Sequence, residues 1–141
     1  MVRKILKEDA KEVALICQNE LNHKTQINII SDRINELSKD DHYFIRVFDD
    51  GNVSGFIQAE EYTLLYGDKG WNIIALAVSS EKQHRGYGKA LVLALEEHCK
   101  NKEGSFIRLN SRIEREDAHN FYFHLGYKCD KTQKRFIKKL K

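Results

Sequence analysis

The chain contains no proline among its 141 residues, so glycine, asparagine and aspartate must build its turns. Cysteine is also scarce. Cys17, Cys99 and Cys129 stand far apart with no CxxC pair, which argues against a disulfide frame and a zinc knuckle. The histidines show no HxH or HExxH spacing, so no metal is expected. No apolar run approaches the length of a membrane span, and no membrane partner is expected. The first residues, MVRKILKEDAKEV, carry charges through their apolar positions, unlike a secretory signal, and a cytoplasmic location is expected. Net charge is only +3, too little for a general nucleic-acid binder. Neither an internal repeat nor a low-complexity segment is visible.

What remains is an ordinary globular composition, 41% hydrophobic and 32% charged, consistent with one domain over residues 1–141. Periodicity predicts an α/β chain in the order β α α β β β α β α β β. Val2–Leu6 reads as a strand. A helix begins at Lys7 with Val13, Ile16, Cys17 and Leu21 on one face, and Asn22-His23-Lys24 breaks it. A second helix has Ile27, Ile30, Ile34 and Leu37 in phase, with Thr25 as its expected N-cap. His42–Phe48 and Val53–Leu65 form a hairpin about Asp49-Asp50-Gly51-Asn52. Phe106–Asn110 alternates as a strand, and Arg115–Leu125 forms a short helix that Gly126 ends. Tyr127–Asp130 and Gln133–Leu140 are predicted as the last two strands. The tail Lys131–Lys141 holds six basic residues and no acid, which reads first as a solvated face and second as a phosphate or nucleic-acid contact.

The stretch Trp71–His98 organises the rest. Ile73–Val78 is a short apolar run that fits a buried strand. A polar turn, Ser79–Arg85, leads to Gly86-Tyr87-Gly88 and a helix with Leu91, Ala94, Leu95, His98 and Cys99 in phase. A strand that feeds a helix this way leaves the first helical N–H groups unpaired at the positive end of the helix dipole, which suits a phosphate. Lys82, Arg85 and Lys89 lie around the turn, with no acid between Lys82 and Lys89. A P-loop is excluded, because Gln83 and Ala90 replace its glycine and its hydroxyl residue. A dinucleotide fingerprint is excluded by Leu91 at the third glycine. A glycine-softened helix start on a basic surface is the alternative reading of this stretch.

Gln83-x-x-Gly86-x-Gly88, directly after Leu76-Ala77-Val78, resembles the acyl-CoA-binding motif of the GNAT superfamily of N-acetyltransferases. The resemblance implies a mixed, mainly antiparallel sheet, flanked by helices and splayed at the central strand to admit acetyl-CoA. It places the pyrophosphate on the amides of Gln83, His84, Arg85, Gly86, Tyr87, Gly88 and Lys89. Leu76, Ala77 and Val78 would face the pantetheine arm. Ser80 and His84 depart from the proline and glycine that many members carry at those places, without removing the binding amides. The first two helices would cover the sheet, and their connection would form one wall of an acceptor pocket.

A second match covers Leu109-Asn110-Ser111-Arg112, then Arg115-Glu116-Asp117-Ala118-His119-Asn120-Phe121-Tyr122 and Leu125-Gly126-Tyr127. GNAT proteins commonly show a short helix with Ala-x-x-x-Tyr followed by Leu-Gly-(Phe/Tyr). The Arg-Glu-Asp-Ala-His-x-Phe-Tyr form resembles a subgroup that includes aminoalkylphosphonate acetyltransferases. By resemblance Tyr122 donates a proton to the departing thiolate, a role that suits a phenol protonated at neutral pH. The other reading is that Tyr122 packs like Phe121 and Tyr127. Asn110 and Ser111 would meet pantetheine or acceptor, and Arg115 a phosphate or an acceptor anion. His119 reads as structural.

The general base stays open. Several superfamily members carry glutamate where this chain has Asn72, and an amide cannot take a proton. Glu60 and Glu61 are the nearest carboxylates. Adjacent strand residues point to opposite faces, so only one of them can serve. Either could also be solvated surface. The implied activity is acetyl-CoA-dependent acetyl transfer to a primary amine by direct attack. A non-catalytic acyl-CoA sensor on the same fold is the alternative. The resemblance allows a homodimer.

Overall fold

The computed structural model describes residues 1–141. It falls into two compact units, Met1–Asn110 and Ser111–Lys141. In the first unit, β1 (Val2–Lys4) leads into α1 (Ala10–Glu20) and α2 (Ile27–Leu37). β2 (Tyr43–Asp49), β3 (Val53–Thr63) and β4 (Lys69–Val78) follow, then α3 (Tyr87–Asn101) and β5 (Phe106–Leu109). The five strands form one sheet in chain order. All neighbours are antiparallel except β4 and β5, which are parallel.

Alternation sorts the two faces of this sheet. Val47, Phe56 and Ala77 stand opposite one another across β2, β3 and β4 and pack with Val13, Ile16 and Ile34 of α1 and α2. On the other face Phe44 and Trp71 meet the His98 ring of α3 at 4.8 and 4.9 Å between centroids. A bulge separates two zones of β4. Ala59 pairs with Ile73 but Gln58 pairs with Ala75, so Ile74 is the extra residue. Trp71 and Ile73 therefore face α3, whereas Ala75 and Ala77 face α1 and α2. Alternation without the bulge would have put all four on one side. At Gly70 a Cβ would run into the Phe106 ring, so only glycine lets β4 and β5 approach there.

Two local expectations are corrected. Thr25 does not cap α2. Gln26 occupies that place, and its carbonyl, not a side chain, accepts from Ile29 and Ile30. The predicted strands Tyr127–Asp130 and Gln133–Leu140 are not formed. The second unit contains α4 (Glu116–His124), and residues 128–141 lie exposed with no regular structure. The reason is cooperative: an isolated hairpin is marginal in water, and the Lys/Arg-rich tail repels itself. Phe136 and Leu140 are 89% and 87% exposed, so the tail buries too little apolar surface to offset its ordering.

The start of the chain is tied down by one charged cluster. The Arg3 guanidinium donates to both carboxylate oxygens of Asp9, at 2.8 and 3.0 Å, and to Asp49 Oδ2 at 2.9 Å. Asp9 also accepts from the Leu6 amide at 2.7 Å and is 5% exposed. Burial works against its ionisation. The Arg3 and Leu6 hydrogen bonds outweigh it and hold the carboxyl below the usual range. Removing the Asp9 charge leaves Arg3 with Asp49 alone and weakens the acceptor of the Leu6 amide, so Asp9→Asn should destabilise the fold by about 2 kcal/mol in urea titrations. Because the folded pKa is depressed, the contribution is present above the unfolded value of about 4 and disappears as pH falls through the folded one. Wild-type melting temperatures should therefore drop on acidification below that value more steeply than those of Asp9→Asn.

Candidate functional site

The parallel pairing of β4 with β5 ends at Ile73 opposite Leu109, yet β4 continues to Val78. The edge of β4 from Ile74 to Val78 thus has no β5 partner, although the same residues stay paired with β3 through Ala75–Val78. Backbone groups at such an edge need acceptors and donors from elsewhere. This fork is the splay expected beside Leu76, Ala77 and Val78.

Beyond Val78 the chain makes a short helical turn, Ser80–Lys82, and then the Gln83–Gly86 loop. His84 and Gly86 both adopt the left-handed region, with φ of 64° and 84°. Gly86 caps α3, whose first internal bond runs from the Ala90 amide to the Gly86 carbonyl. Within this unit the amides of His84, Arg85, Gly86, Tyr87, Gly88 and Lys89 find no acceptor. The Gln83 amide differs from expectation by donating to the Ser80 carbonyl at 3.4 Å, and its side chain donates to the Val78 carbonyl at 3.1 Å. The unpaired row therefore starts at His84. Six amides behind a helix dipole, with Arg85 and Lys89 exposed beside them, fit a diphosphate.

The loop is held from three sides by residues that sequence spacing did not single out. Asp50 Oδ2 accepts from Lys82 Nζ and from the Tyr87 hydroxyl, each at 2.9 Å. Lys82 chiefly, with Ser54 and Tyr87, holds the Asp50 carboxyl well below the usual carboxylate range. Lys82 is thus already engaged, leaving Arg85 and Lys89 as the uncommitted cations of the motif. The Phe48 ring stacks on Tyr87 at 3.8 Å. Glu20 Oε2 accepts from the Ser80 amide and hydroxyl at 3.0 and 2.7 Å. Asp50 and Glu20 lie 32 and 60 residues from their loop partners. Only the Asp-Gly turn marked Asp50 in the sequence, and nothing marked Glu20.

At the fork a polar row crosses the sheet on the face shared with α1 and α2. Tyr43, Glu60, Asn72 and Arg108 stand opposite one another on four successive strands. Asn72 Nδ2 donates to Glu60 Oε2 at 3.0 Å, and Arg108 Nη1 donates to Asn72 Oδ1 at 2.7 Å. Arg108 Nη2 donates to Asn110 Oδ1 at 2.7 Å. Glu60 therefore faces the fork beside Asn72. Glu61 turns to the α3 face, opposite Trp71, with its carboxylate 3.7 Å from Lys69 Nζ. A groove of about 720 Å³ lies along the α1–α2 connection, lined by Leu15, Lys24, Thr25 and Ile27 among others.

In the second unit Ser111 and Arg115 are exposed, and Arg115 caps α4. His119 Nε2 lies 2.8 Å from the Arg112 carbonyl, which fixes the entry to that helix. Tyr122 packs edge-on against Phe121 and Tyr127, at 5.0 and 5.6 Å between centroids. Burial pushes its phenol up to about 12, with the Arg115 charge opposing. The Tyr122 phenol therefore keeps its proton at neutral pH.

If the left-handed Gly86 sets the amide row, Gly86→Ala should cost about 1–2 kcal/mol of loop conformation. Calorimetric titration should then show coenzyme A binding weakened roughly 5- to 30-fold. Unchanged affinity would show that the row is not what holds the ligand.

The chain matches the model of the Acetyltransferase (GNAT) family over residues 2–127. No curated protein matches it. Among solved structures, a transcriptional regulator from Bacillus halodurans superposes with a TM-score of 0.88 at 19% identity, covering 98% of this chain and 99% of that one. An aminoglycoside acetyltransferase from an uncultured soil metagenomic sample, in complex with trehalose, gives 0.81 at 15% identity, covering 100% and 96%. A ribosomal-protein-alanine N-acetyltransferase from Brucella melitensis biovar Abortus gives 0.77 at 18% identity, covering 98% and 99%. At these identities the structures share the fold. The family match extends over most of the chain and includes the fork, the amide loop and the fork-side carboxylate, so the chain belongs to the GNAT family of acetyltransferases, which use acetyl-CoA as co-substrate.

Proposed function

We propose that this protein is an acetyl-CoA-dependent N-acetyltransferase acting on a primary amine by direct attack. The observation that carries this reading is the joining of an open β4 edge to a row of unpaired amides at the start of α3. Those two features suit a ligand with an amide-bearing arm and a diphosphate, and acetyl-CoA brings in addition an activated acyl thioester. The amides of His84–Lys89, with Arg85 and Lys89, hold the diphosphate. Backbone along Ile74–Val78, including Leu76, Ala77 and Val78, pairs with the arm. An N–H near Val78 stabilises the charge that develops on the thioester oxygen. Asn110 and Ser111 contribute contacts to the arm or to the acceptor, and Arg115 to a phosphate of the carrier or to an acceptor anion.

Glu60 is the base in this proposal, directly or through one water. It lies next to the position where several family members carry glutamate, and the Asn72 amide orients it. Tyr122 supplies the proton to the departing thiolate; burial keeps its phenol protonated at neutral pH while making it a weaker acid. Burial also pushes the Cys17 and Cys99 thiols up, which disfavours an acyl-enzyme on either. We take residues 1–141 as one N-acetyltransferase domain that works in the cytoplasm. The expectations of no metal and no nucleic-acid partner are kept as part of the same reading. A second reading, a non-catalytic acyl-CoA sensor, is favoured by one observation: the amide of Asn72 where a carboxylate is common.

The test is thiol release from acetyl-CoA across a panel of primary amines, with mass spectrometry of the product. Turnover is expected on at least one amine. Glu60→Gln and Tyr122→Phe should each lower kcat by about 100-fold or more, with coenzyme A affinity unchanged. Glu61→Gln should stay near wild type. Tight coenzyme A binding without turnover on any amine would support the sensor instead. A large loss of activity in a folded variant lacking Cys17, Cys99 and Cys129 would contradict direct attack.

A further inference from the structure

The polar row at the fork separates two opposite charges by a single neutral amide. Glu60 accepts from Asn72 and lies 3.8 Å from His42 Nε2, and no lysine or arginine pairs with it. Arg108 donates to Asn72 and Asn110, both neutral amide oxygens, and within its unit no carboxylate pairs with it. Its guanidinium also sits 4.9 Å from the centre of the Tyr62 ring. The orientation of Asn72 is forced by its neighbours. An ionised carboxylate can only accept and a guanidinium can only donate, so Nδ2 must face Glu60 and Oδ1 must face Arg108. A carboxylate at position 72 would have neutralised Arg108. The amide instead leaves a negative and a positive group, both partly exposed, on one face, one strand spacing of about 4.8 Å to either side of it.

Arg108 has five N–H donors, of which Asn72 and Asn110 occupy one each. The remaining donors form a fork suited to a carboxylate, phosphonate or sulfonate. The guanidinium is half-buried, so its attraction for an anion is screened less than that of an exposed lysine. The row lies one residue before β4 and β5 part, at the end of the edge assigned above to the thioester arm.

We propose that the acceptor is a dipolar molecule, an amine carrying an anionic group on a short linker, held with its amine at Glu60 and its anion at Arg108. This rests on the transferase reading and adds the class of acceptor. Arg108 becomes the specificity residue: it selects acceptors by their anion and takes no part in the proton transfers. The Asn72 amide keeps the two charges apart and available.

The experiment compares acceptors matched in size, with the full chain and saturating acetyl-CoA. β-Alanine, taurine and 2-aminoethylphosphonate carry the anion; β-alaninamide and ethanolamine do not. The anionic set should be favoured at least tenfold in kcat/KM. Arg108→Gln should remove that preference mainly through the KM of the anionic acceptors, with a much smaller loss on the neutral ones and coenzyme A affinity unchanged, and Arg108→Lys should restore part of it. Calorimetric titration of the preferred anionic amine into the coenzyme A complex should show the same loss in Arg108→Gln. Equal use of neutral and anionic amines by the wild type would overturn the assignment while leaving the transferase intact. An equal loss on both sets in Arg108→Gln would overturn it too, showing that Arg108 only braces the strand ends. Absence of turnover on every acceptor would remove the transferase reading and this one with it.

Discussion

A β-strand cannot leave one edge unpaired in a packed sheet without something else meeting its backbone. In this protein β4 is paired with β3 to its last residue, Val78, but loses β5 after Ile73. The unsatisfied edge and the unsatisfied helix start at His84–Lys89 are consecutive along the chain. They are joined by the Ser79–Gln83 turn, in which the amides of Ser79, Ser80, Lys82 and Gln83 are bonded within the unit. The bulge at Ile74 falls at the same place, and bulges add local twist to a strand.

An open loop of this kind has to be kept from collapsing onto itself. Asp50 gives the Lys82 ammonium and the Tyr87 hydroxyl a shared acceptor, which removes two side chains that could otherwise fold over the amides. Stacking of Phe48 on Tyr87 fixes the first turn of α3 against β2. The left-handed Gly86 then aims the N–H groups outward, at a φ that any side chain would strain. Glu20 anchors the other end of the loop to the last turn of α1. Preorganisation of this sort lowers the ordering cost of binding an anion.

The bulge also gives the sheet its division of labour. On the face shared with α1 and α2, the apolar set Val47, Phe56 and Ala77 gives way to the polar row Tyr43, Glu60, Asn72 and Arg108. Glu60 and Glu61 are neighbours in sequence but sit on opposite faces, one beside an amide and a guanidinium, the other beside Lys69. A single residue of register thus separates a candidate base from a surface ion pair.

Much of this was legible in the chain. The 3.6-residue phase of α2 and α3, the Asp-Gly hairpin and the strand–glycine–helix stretch each depend on neighbours within about ten residues, where local physics fixes the outcome. The motif therefore located the amide row to within one residue: only Gln83 fell out, tied to Ser80. Tertiary structure alone decided which glutamate meets the fork, because alternation is blind to which face a sheet buries. It alone brought Asp50, Phe48 and Glu20 to the loop across long chain separations. It also left residues 128–141 without the strands their alternation suggests, because a strand is stable only when a neighbouring edge pairs with it, and alternation carries no information about that edge.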